Sequence, residues 1–138
     1  MAAISIKLDI LTPMGPKRRG VEVAGVEIPG LNGELGVLPD HVPFVTPVVP
    51  GVVRFREGDD SVRIAVGAGF LEIGADGRVA ILVERALETS EIDVAAARAA
   101  LTRVTAELAG LQDSIDAVQH RKLVTEQGWL EAQIRAGS

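Results

Sequence analysis

The sequence predicts an α+β protein in which an all-β N-terminal half precedes a helical C-terminal half. Residues 4–83 alternate apolar and polar side chains and contain most of the glycines and all of the prolines, which is typical of short strands joined by tight turns. After about residue 85 alanine dominates and apolar residues recur every three or four positions, as in helices. A chain of 138 residues holds one ordinary domain or a small domain with an appendage. We therefore divide it into a β domain, residues 1–85, and a helical tail, residues 86–138.

The strands are predicted from alternating runs and from the turns between them. In the first run, "ISIKLDIL", every second residue from Ile4 to Ile10 is apolar. Two later pairs of alternating runs are joined by "EGDD", residues 57–60, and by Asp76-Gly77, a strong hairpin signal. Because no helical pattern interrupts these short strands, the β domain is predicted to be an antiparallel sandwich or barrel.

The tail contains a narrow apolar seam that predicts paired helices. Thr89 or Ser90 can cap a first helix, and Asp113 or Ser114 a second one that runs to about Arg135. The residues of the seam are Val94, Ala97, Leu101, Val104, Leu108, Leu111, Ile115 and Val118. The second helix is expected to bury Val118, Leu123, Leu130 and Ile134. Either the chain folds into a helical hairpin at a hinge that includes Gly110 and Asp113, or it forms one long helix whose seam another surface covers.

Composition excludes several classes of function. The chain is 47% hydrophobic, which favours a folded core, and its formal net charge of −5 argues against nucleic acid as the main partner. It has no cysteine for disulfides or thiol chemistry. We find no secretory signal and no run of about 18 apolar residues, so no membrane span is expected.

No catalytic or metal-binding constellation is recognised. Gly67-Ala68-Gly69 begins like a dinucleotide fingerprint, but Glu72 occupies the third glycine position, so a tight strand connection is the favoured interpretation. His41 and His120 lie in different halves of the chain, which disfavours a shared metal site. We expect no catalytic residue and no metal site.

The segment "GELGVLPDHVPFVTPVVPGVVRF", with four prolines in its first 19 residues, strongly resembles a segment of the epsilon subunit of bacterial F-type ATP synthases. The likeness continues through "AVGAGFLEIGADGRVAILVERALETSEID" and covers about residues 4–93. This resemblance implies a sandwich of about ten strands followed by a hairpin of two helices.

The resemblance also implies a non-catalytic subunit of the rotating central stalk, at the cytoplasmic face of the bacterial inner membrane. Its implied partners are the gamma subunit, the ring of c subunits and, transiently, the catalytic alpha and beta subunits; the membrane is reached only through the complex. The residues expected at the interface with gamma and the c ring are Leu31, Gly33, Glu34, Leu35, Gly36, Asp40, His41 and Pro43. The helices can lie on the sandwich or extend along gamma and block ATP hydrolysis.

Two departures from the family pattern modify these expectations. The family's nucleotide motif is present as Ile92 and Asp93, but Ala96 occupies the arginine position, and Arg98 lies about 200° further around the helix. We therefore expect no cofactor, with ATP binding weak or absent. The second helix offers only Arg121, Lys122 and Arg135 as basic contacts to the catalytic subunits, interleaved with acidic residues, so strong electrostatic inhibition is not expected.

An alternative from another functional class remains open. A stand-alone β-sandwich recognition module could use the seam of the tail for dimerisation. An enzyme acting on a small phosphate ester is disfavoured because catalytic residues are lacking.

Overall fold

The computed structural model describes residues 5–39, 42–111 and 116–138 and contains ten strands and two long helices in these ranges. Asp40, His41 and Asp113, which we expected at the interface and the hinge, lie outside the described residues. The strands are β1 (Ile6–Thr12), β2 (Gly15–Val23), β3 (Val26–Gly30), β4 (Gly33–Val37), β5 (Phe44–Val48), β6 (Gly51–Glu57), β7 (Asp60–Val66), β8 (Gly69–Ile73), β9 (Arg78–Val83) and β10 (Ala86–Glu88). The helices are α1 (Val94–Gly110) and α2 (Ala117–Gly137), preceded by a 3-10 turn at Thr89–Glu91.

The strands form a folded sheet with the order β10-β7-β6-β3-β5-β8-β9-β1-β2, and β4 pairs with β3 outside this path. The described pairs are antiparallel except for β1 and β9, which run parallel. The two turns predicted from their glycines are present, with positive φ at Gly58 and Gly77. The predicted sandwich of about ten strands is confirmed.

Alternation along the strands explains where the core lies. On β1, β8 and β9, every second side chain is buried, including Leu8, Leu71 and Ile81, which are each 0% exposed. Side chains of β3 and β7, such as Ile28 and Ile64, pack against them in one apolar cluster. The core is almost wholly aliphatic, as a chain with 3% aromatic residues requires.

The tail is a helical hairpin, which decides between the two arrangements that the sequence allowed. Helix α1 packs on α2, and α2 packs on the outer face of β6 and β7. Together with the sandwich, this gives the α+β fold that the sequence predicted.

The helix starts differ from our expectation. Thr89 or Ser90 was expected to cap α1, but both lie in the 3-10 turn, and Ile92 is extended, with φ −93° and ψ 126°. Asp93 caps α1 instead, accepting a hydrogen bond from the Ala96 N–H at 3.0 Å. Asp116 caps α2 through the Gln119 N–H at 3.0 Å.

Burial along α2 also departs from the prediction at one position. Leu123 and Leu130 are buried and Ile134 is partly buried against them, as expected. Val118, which we expected in the core, is 59% exposed. It lies five positions before Leu123 and hence about 140° away around the helix, off the buried face.

Neither described helix is both long and apolar enough to cross a membrane.

Candidate functional site

The predicted interface segment, residues 31–36, forms the hairpin of β3 and β4. Leu31 lies at its tip and is 67% exposed. The turn is tight because Gly33 adopts φ +111°, which a residue with a Cβ rarely does. On β4, Glu34 accepts a hydrogen bond from Arg54 at 3.3 Å. The tip therefore presents an exposed leucine beside a half-exposed ion pair.

Pro43 lies at a different end of the sheet from this tip. The tip follows Gly30, which pairs with Val48 at the end of β5, whereas Pro43 precedes Phe44 at the start of β5. Phe44 and Val48 are four residue steps apart along β5, or about 13 Å at about 3.3 Å per step. The described interface residues thus form two groups rather than one patch.

An apolar row runs across the outer face of four neighbouring strands. Pairing places Pro47 opposite Phe70, Phe70 opposite Leu82, and Leu82 opposite Leu11. Phe70 is 55% exposed and Leu82 is 41% exposed. Val45, two positions before Pro47 on the same face, is 65% exposed. Contiguous exposed apolar side chains of this kind are typical of a protein interface.

Helix α2 is seated on the opposite layer of the sandwich through small residues. Trp129, Ala132 and Ala136 form a buried cluster with Val52 of β6 and Ala65 of β7. Ala132 and Ala136 are each 0% exposed, which shows how closely the helix backbone approaches the sheet. The sandwich thus has one outer face covered by the tail and one that carries the uncovered apolar row.

A charged contact also joins the tail to the sandwich. The guanidinium of Arg85, in the connection between β9 and β10, donates to Glu126 Oε2 at 2.6 Å. It also lies over the Trp129 ring, with Cζ 4.7 Å from the ring centroid. Both partners are on α2, so one side chain of the sandwich contacts two side chains of the helix.

The described part of the chain holds no group of three or more His, Asp or Glu side chains suited to a metal ion. The sequence offers no cysteine ligand either.

Comparisons with known proteins identify the family. A family model described as "ATP synthase, Delta/Epsilon chain, beta-sandwich domain" matches residues 5–89. An ATP synthase epsilon chain of Anoxybacillus flavithermus is 42% identical over 108 residues, or 78% of this chain and 79% of the relative. One from Geobacter metallireducens is 33% identical over 136 residues, or 99% and 97%. This chain belongs to the family of ATP synthase epsilon chains.

Solved structures confirm the fold of this family member. A chain in the Euglena gracilis mitochondrial ATP synthase structure of OSCP, F1 and c-ring matches with a TM-score of 0.83 and 24% identity, over 99% of this chain and 83% of that chain. A chain in the central stalk and c-ring structure of the Tetrahymena thermophila mitochondrial ATP synthase matches with a TM-score of 0.66 and 10% identity, over 100% of both chains.

The residues of the degenerate nucleotide motif serve the start of α1. The Asp93 carboxylate is engaged by the Ala96 N–H. Ala96 and Arg98 are both exposed, and Ile92 packs against the buried cluster that α2 forms with β6 and β7. The motif therefore forms a helix cap in this conformation.

The three basic residues expected to contact the catalytic subunits, Arg121, Lys122 and Arg135, are exposed but not grouped. Arg121 and Lys122 line a cavity of about 550 Å³ together with Arg85 and Glu126. Arg135 is about four turns further along α2. Gly110, the expected hinge residue that lies within the described ranges, is the last residue of α1.

Sequence reasoning missed the apolar row and the Arg85 contact. Each depends on which strands are neighbours and on where α2 docks. One signal was available for the second: Trp129 is the chain's single tryptophan, in a tail that has no phenylalanine or tyrosine.

Proposed function

We propose that this chain is a non-catalytic rotor subunit of a bacterial proton-translocating F-type ATP synthase, which couples the catalytic head to the membrane c ring. Family membership supports the assignment to the complex. The observation that carries the role is the apolar row on the sandwich face that the tail leaves uncovered. We infer that the subunit is peripheral and reaches the cytoplasmic face of the membrane through its partners.

The apolar row is the proposed docking surface for gamma. Phe70 and Leu82 stand side by side on paired strands, and Pro47 continues the row onto the proline-rich β5. Proline fixes the backbone φ near −65°, which stiffens a surface that has to transmit torque. Burying such a row against a partner contributes roughly 25 cal/mol per Å² of apolar area removed from water.

The test is capture of gamma by single variants. Phe70→Glu and Leu82→Glu should each weaken copurification with gamma, because a buried carboxylate without a partner is costly. Met14→Glu is the matched control, since Met14 is 95% exposed in the turn between β1 and β2, off the apolar row. Gamma capture that is equal for all three variants would remove the row from the interface.

The tip of the β3–β4 hairpin is the proposed contact with the c ring, together with Asp40 and His41. Glu34→Lys reverses the charge beside Leu31 and should uncouple proton flow from synthesis while hydrolysis by the detached head is kept. His41→Glu tests the second segment in the same way. Proton pumping by membrane vesicles is the measurement, and unchanged pumping in both variants would contradict the assignment.

We propose that the tail restrains ATP hydrolysis weakly. Extension of α1 and α2 toward the catalytic subunits would bring Arg121, Lys122 and Arg135 to their acidic surface. Glu126 and Glu131 on the same helix lower the net positive charge of that contact. Deletion of the tail should therefore raise hydrolysis by the assembled enzyme only modestly.

ATP is proposed to be a poor ligand of this chain. The missing guanidinium at Ala96 removes a charge-assisted contact to phosphate worth ~1.5–3 kcal/mol, or roughly ten- to hundredfold in affinity. The Asp93 carboxylate caps α1 and would repel phosphate. Calorimetric titration of the isolated chain tests this proposal. Micromolar ATP binding that Asp93→Ala abolishes would contradict it, and binding created by Ala96→Arg would support it.

The alternative, a recognition module that dimerises through its tail, is disfavoured by the hairpin. Ala97 and Val104 of the seam are buried between α1 and α2 within one chain. Sedimentation of the isolated protein should therefore give a monomer, whereas an obligate dimer would favour the module.

A further inference from the structure

We propose that Arg85, Glu126 and Trp129 form a latch that holds the tail on the sandwich, and that opening this latch releases the tail. The inference deepens the regulation suggested above and rests on that proposed function for its biological meaning. The contact itself, and its effect on the opening of α2, can be measured on the isolated chain.

The latch joins one cation to two partners on a single helix face. Glu126 and Trp129 are three positions apart on α2, so their side chains lie on the same side of the helix. The Arg85 guanidinium donates to the carboxylate at 2.6 Å and stacks over the indole with its Cζ 4.7 Å from the ring centroid. Arginine suits both contacts, because its planar group can form a hydrogen bond at its edge while its face stacks on a ring.

The sandwich holds the backbone of Arg85 in place through the Gly67-Ala68-Gly69 connection between β7 and β8. Gly67 N–H donates to the Arg85 carbonyl at 2.9 Å, and Glu84 N–H donates to the Ala68 carbonyl at 3.0 Å. The latch therefore starts from a rigid part of the sandwich.

Both glycines of this connection are needed for close approach. A Cβ at Gly69 would lie 1.9 Å from the Leu82 carbonyl oxygen, which excludes any side chain. At Gly67 a Cβ would meet the stems of the Glu84 and Arg85 side chains at 2.9 Å and 3.1 Å. The glycine motif thus makes room for the arginine that contacts the tail.

The latch is suited to open because the remaining contact of α2 with the sheet is small. Apart from Trp129, which belongs to the latch, α2 contributes two alanines to the cluster with the sheet, and alanine removes little apolar area from water. Two hydrogen bonds, from Arg63 to the Ser138 carbonyl at 3.0 Å and from Thr89 to the Ala136 carbonyl at 3.1 Å, hold the C-terminal end of α2. Arg85 and Glu126 side chains are each 39% exposed, so water and salt compete for their ion pair. Loss of the arginine removes the ion pair and the stacking on Trp129 together.

Native-state hydrogen exchange on the full chain tests the latch. In Arg85→Ala the opening constant of α2 should rise about 5- to 30-fold, as expected for loss of a half-exposed ion pair and a cation–π contact. Exchange in β1, β8 and β9 should not change. Arg19→Ala is the matched control, because Arg19 is an exposed arginine of β2, and it should leave α2 unchanged.

Charge reversal and rescue separate a latch from a general loss of structure. Glu126→Arg should open α2, and the double variant with Arg85→Glu should restore part of the protection. Glu131→Gln, an exposed carboxylate on the same helix, should have no effect. The latch is overturned if Arg85→Ala matches Arg19→Ala, or if the sandwich strands lose protection as much as α2.

Failure of the latch is distinguishable from failure of the proposed function. We expect gamma capture not to require Arg85, because its guanidinium contacts α2 rather than the apolar row. Unchanged exchange with normal gamma capture would overturn the latch alone, whereas normal latch behaviour without gamma capture would overturn the rotor proposal.

Discussion

Side chains are buried more completely in the core of the sandwich than in the contacts of the tail. The core of the sandwich contains long aliphatic side chains such as Ile28, Ile64 and Leu71, each 0% exposed. In the tail, Val104 and Leu123 at the contact of α1 with α2 are still 9% and 8% exposed. Helix α2 contacts the sheet through one large side chain, Trp129, and two alanines. The sandwich is therefore expected to be the stable unit and the tail the dissociable one.

The arrangement of the three apolar clusters leads to the same conclusion. Among the described residues, the large cluster inside the sandwich shares no side chain with the two clusters of the tail, and only Val52 and Ala65 of the sheet are buried in the cluster with α2. Helix α1 packs on α2, and α2 alone of the two packs substantially on the sheet. The two helices can thus leave together without opening the core, which suits a subunit whose tail is proposed to move while its sandwich stays docked.

The largest expected effect comes from truncating a core side chain in each region. Leu71→Ala should lower the free energy of unfolding of the sandwich by about 2–5 kcal/mol. Leu130→Ala, in the cluster between α1 and α2, should loosen the helical hairpin and leave the sandwich folded. Urea titration with two probes measures this, because the fluorescence of the single tryptophan, Trp129, reports the tail and strand circular dichroism reports the sandwich. Coincident shifts of both probes in Leu130→Ala would break the distinction between the regions.

Overpacking the docking face should have the next largest effect. Ala132→Leu inserts a larger side chain where the native residue is 0% exposed against β6 and β7. Such insertions cost about 1–3 kcal/mol in a packed site, so α2 should undock. Ala99→Leu is the control, since Ala99 is on the exposed face of α1. Equal Trp129 fluorescence in the two variants would show that α2 does not need its small residues.

A pH-dependent contribution is expected at the junction of the two regions. The Glu88 backbone N–H, donating to Glu91 Oε1 at 2.9 Å, and then the Lys17 ammonium hold the pKa of Glu91 below its ordinary value. Its stabilising effect is therefore complete above the ordinary carboxyl pKa of about 4.3 and is lost as the pH falls through the lowered pKa of the folded state. Glu91→Gln should reduce the acid dependence of stability below about pH 4.3, measured by thermal unfolding from pH 2 to 7. The control is Glu107→Gln on the exposed face of α1, and an acid limb that is identical in both variants would contradict the assignment.

The smallest effect is expected at the hinge. Gly110 is already helical as the last residue of α1, and a Cβ there meets no neighbour. Gly110→Ala should therefore stabilise α1 by up to about 1 kcal/mol in the hairpin as well as in an extended helix. The ratio of the extended state to the hairpin state should therefore change less than twofold. A twofold change corresponds to a difference of about 0.4 kcal/mol in free energy between the two states. Distances between labels on α1 and α2 in the assembled complex measure it, and a large shift toward extension would identify Gly110 as the hinge.

The sequence predicted those features that depend on local pattern. Alternation located the strands, Gly58 and Gly77 located two turns, and the change to alanine-rich sequence located the tail. Helix starts were less predictable, because Asp93 lies only four residues after Thr89 and both are good capping residues. The local sequence did not show that Ile92 is extended and so delays the first helix.

The candidate site was less predictable because it depends on long-range pairing. The row Leu11, Pro47, Phe70 and Leu82 comes from four strands, one of them paired in parallel with its neighbour. Arg85 and Glu126 are separated by 41 positions, and no periodicity connects them. The two interface segments were predicted from family resemblance, and only the strand register showed that residue 31 and residue 43 lie at different ends of β5.

Whether the sandwich is a stable unit is tested most directly by its folding without the two helices. A chain ending after Glu91 keeps β10, which pairs with β7 at Ala86–Glu88, and removes both helices. We expect this truncated chain to unfold cooperatively on heating, to show strand circular dichroism like that of the full chain, and to retain gamma capture. A truncated chain that lacks a cooperative transition would contradict the claim that the sandwich is the stable unit and the tail a separable one.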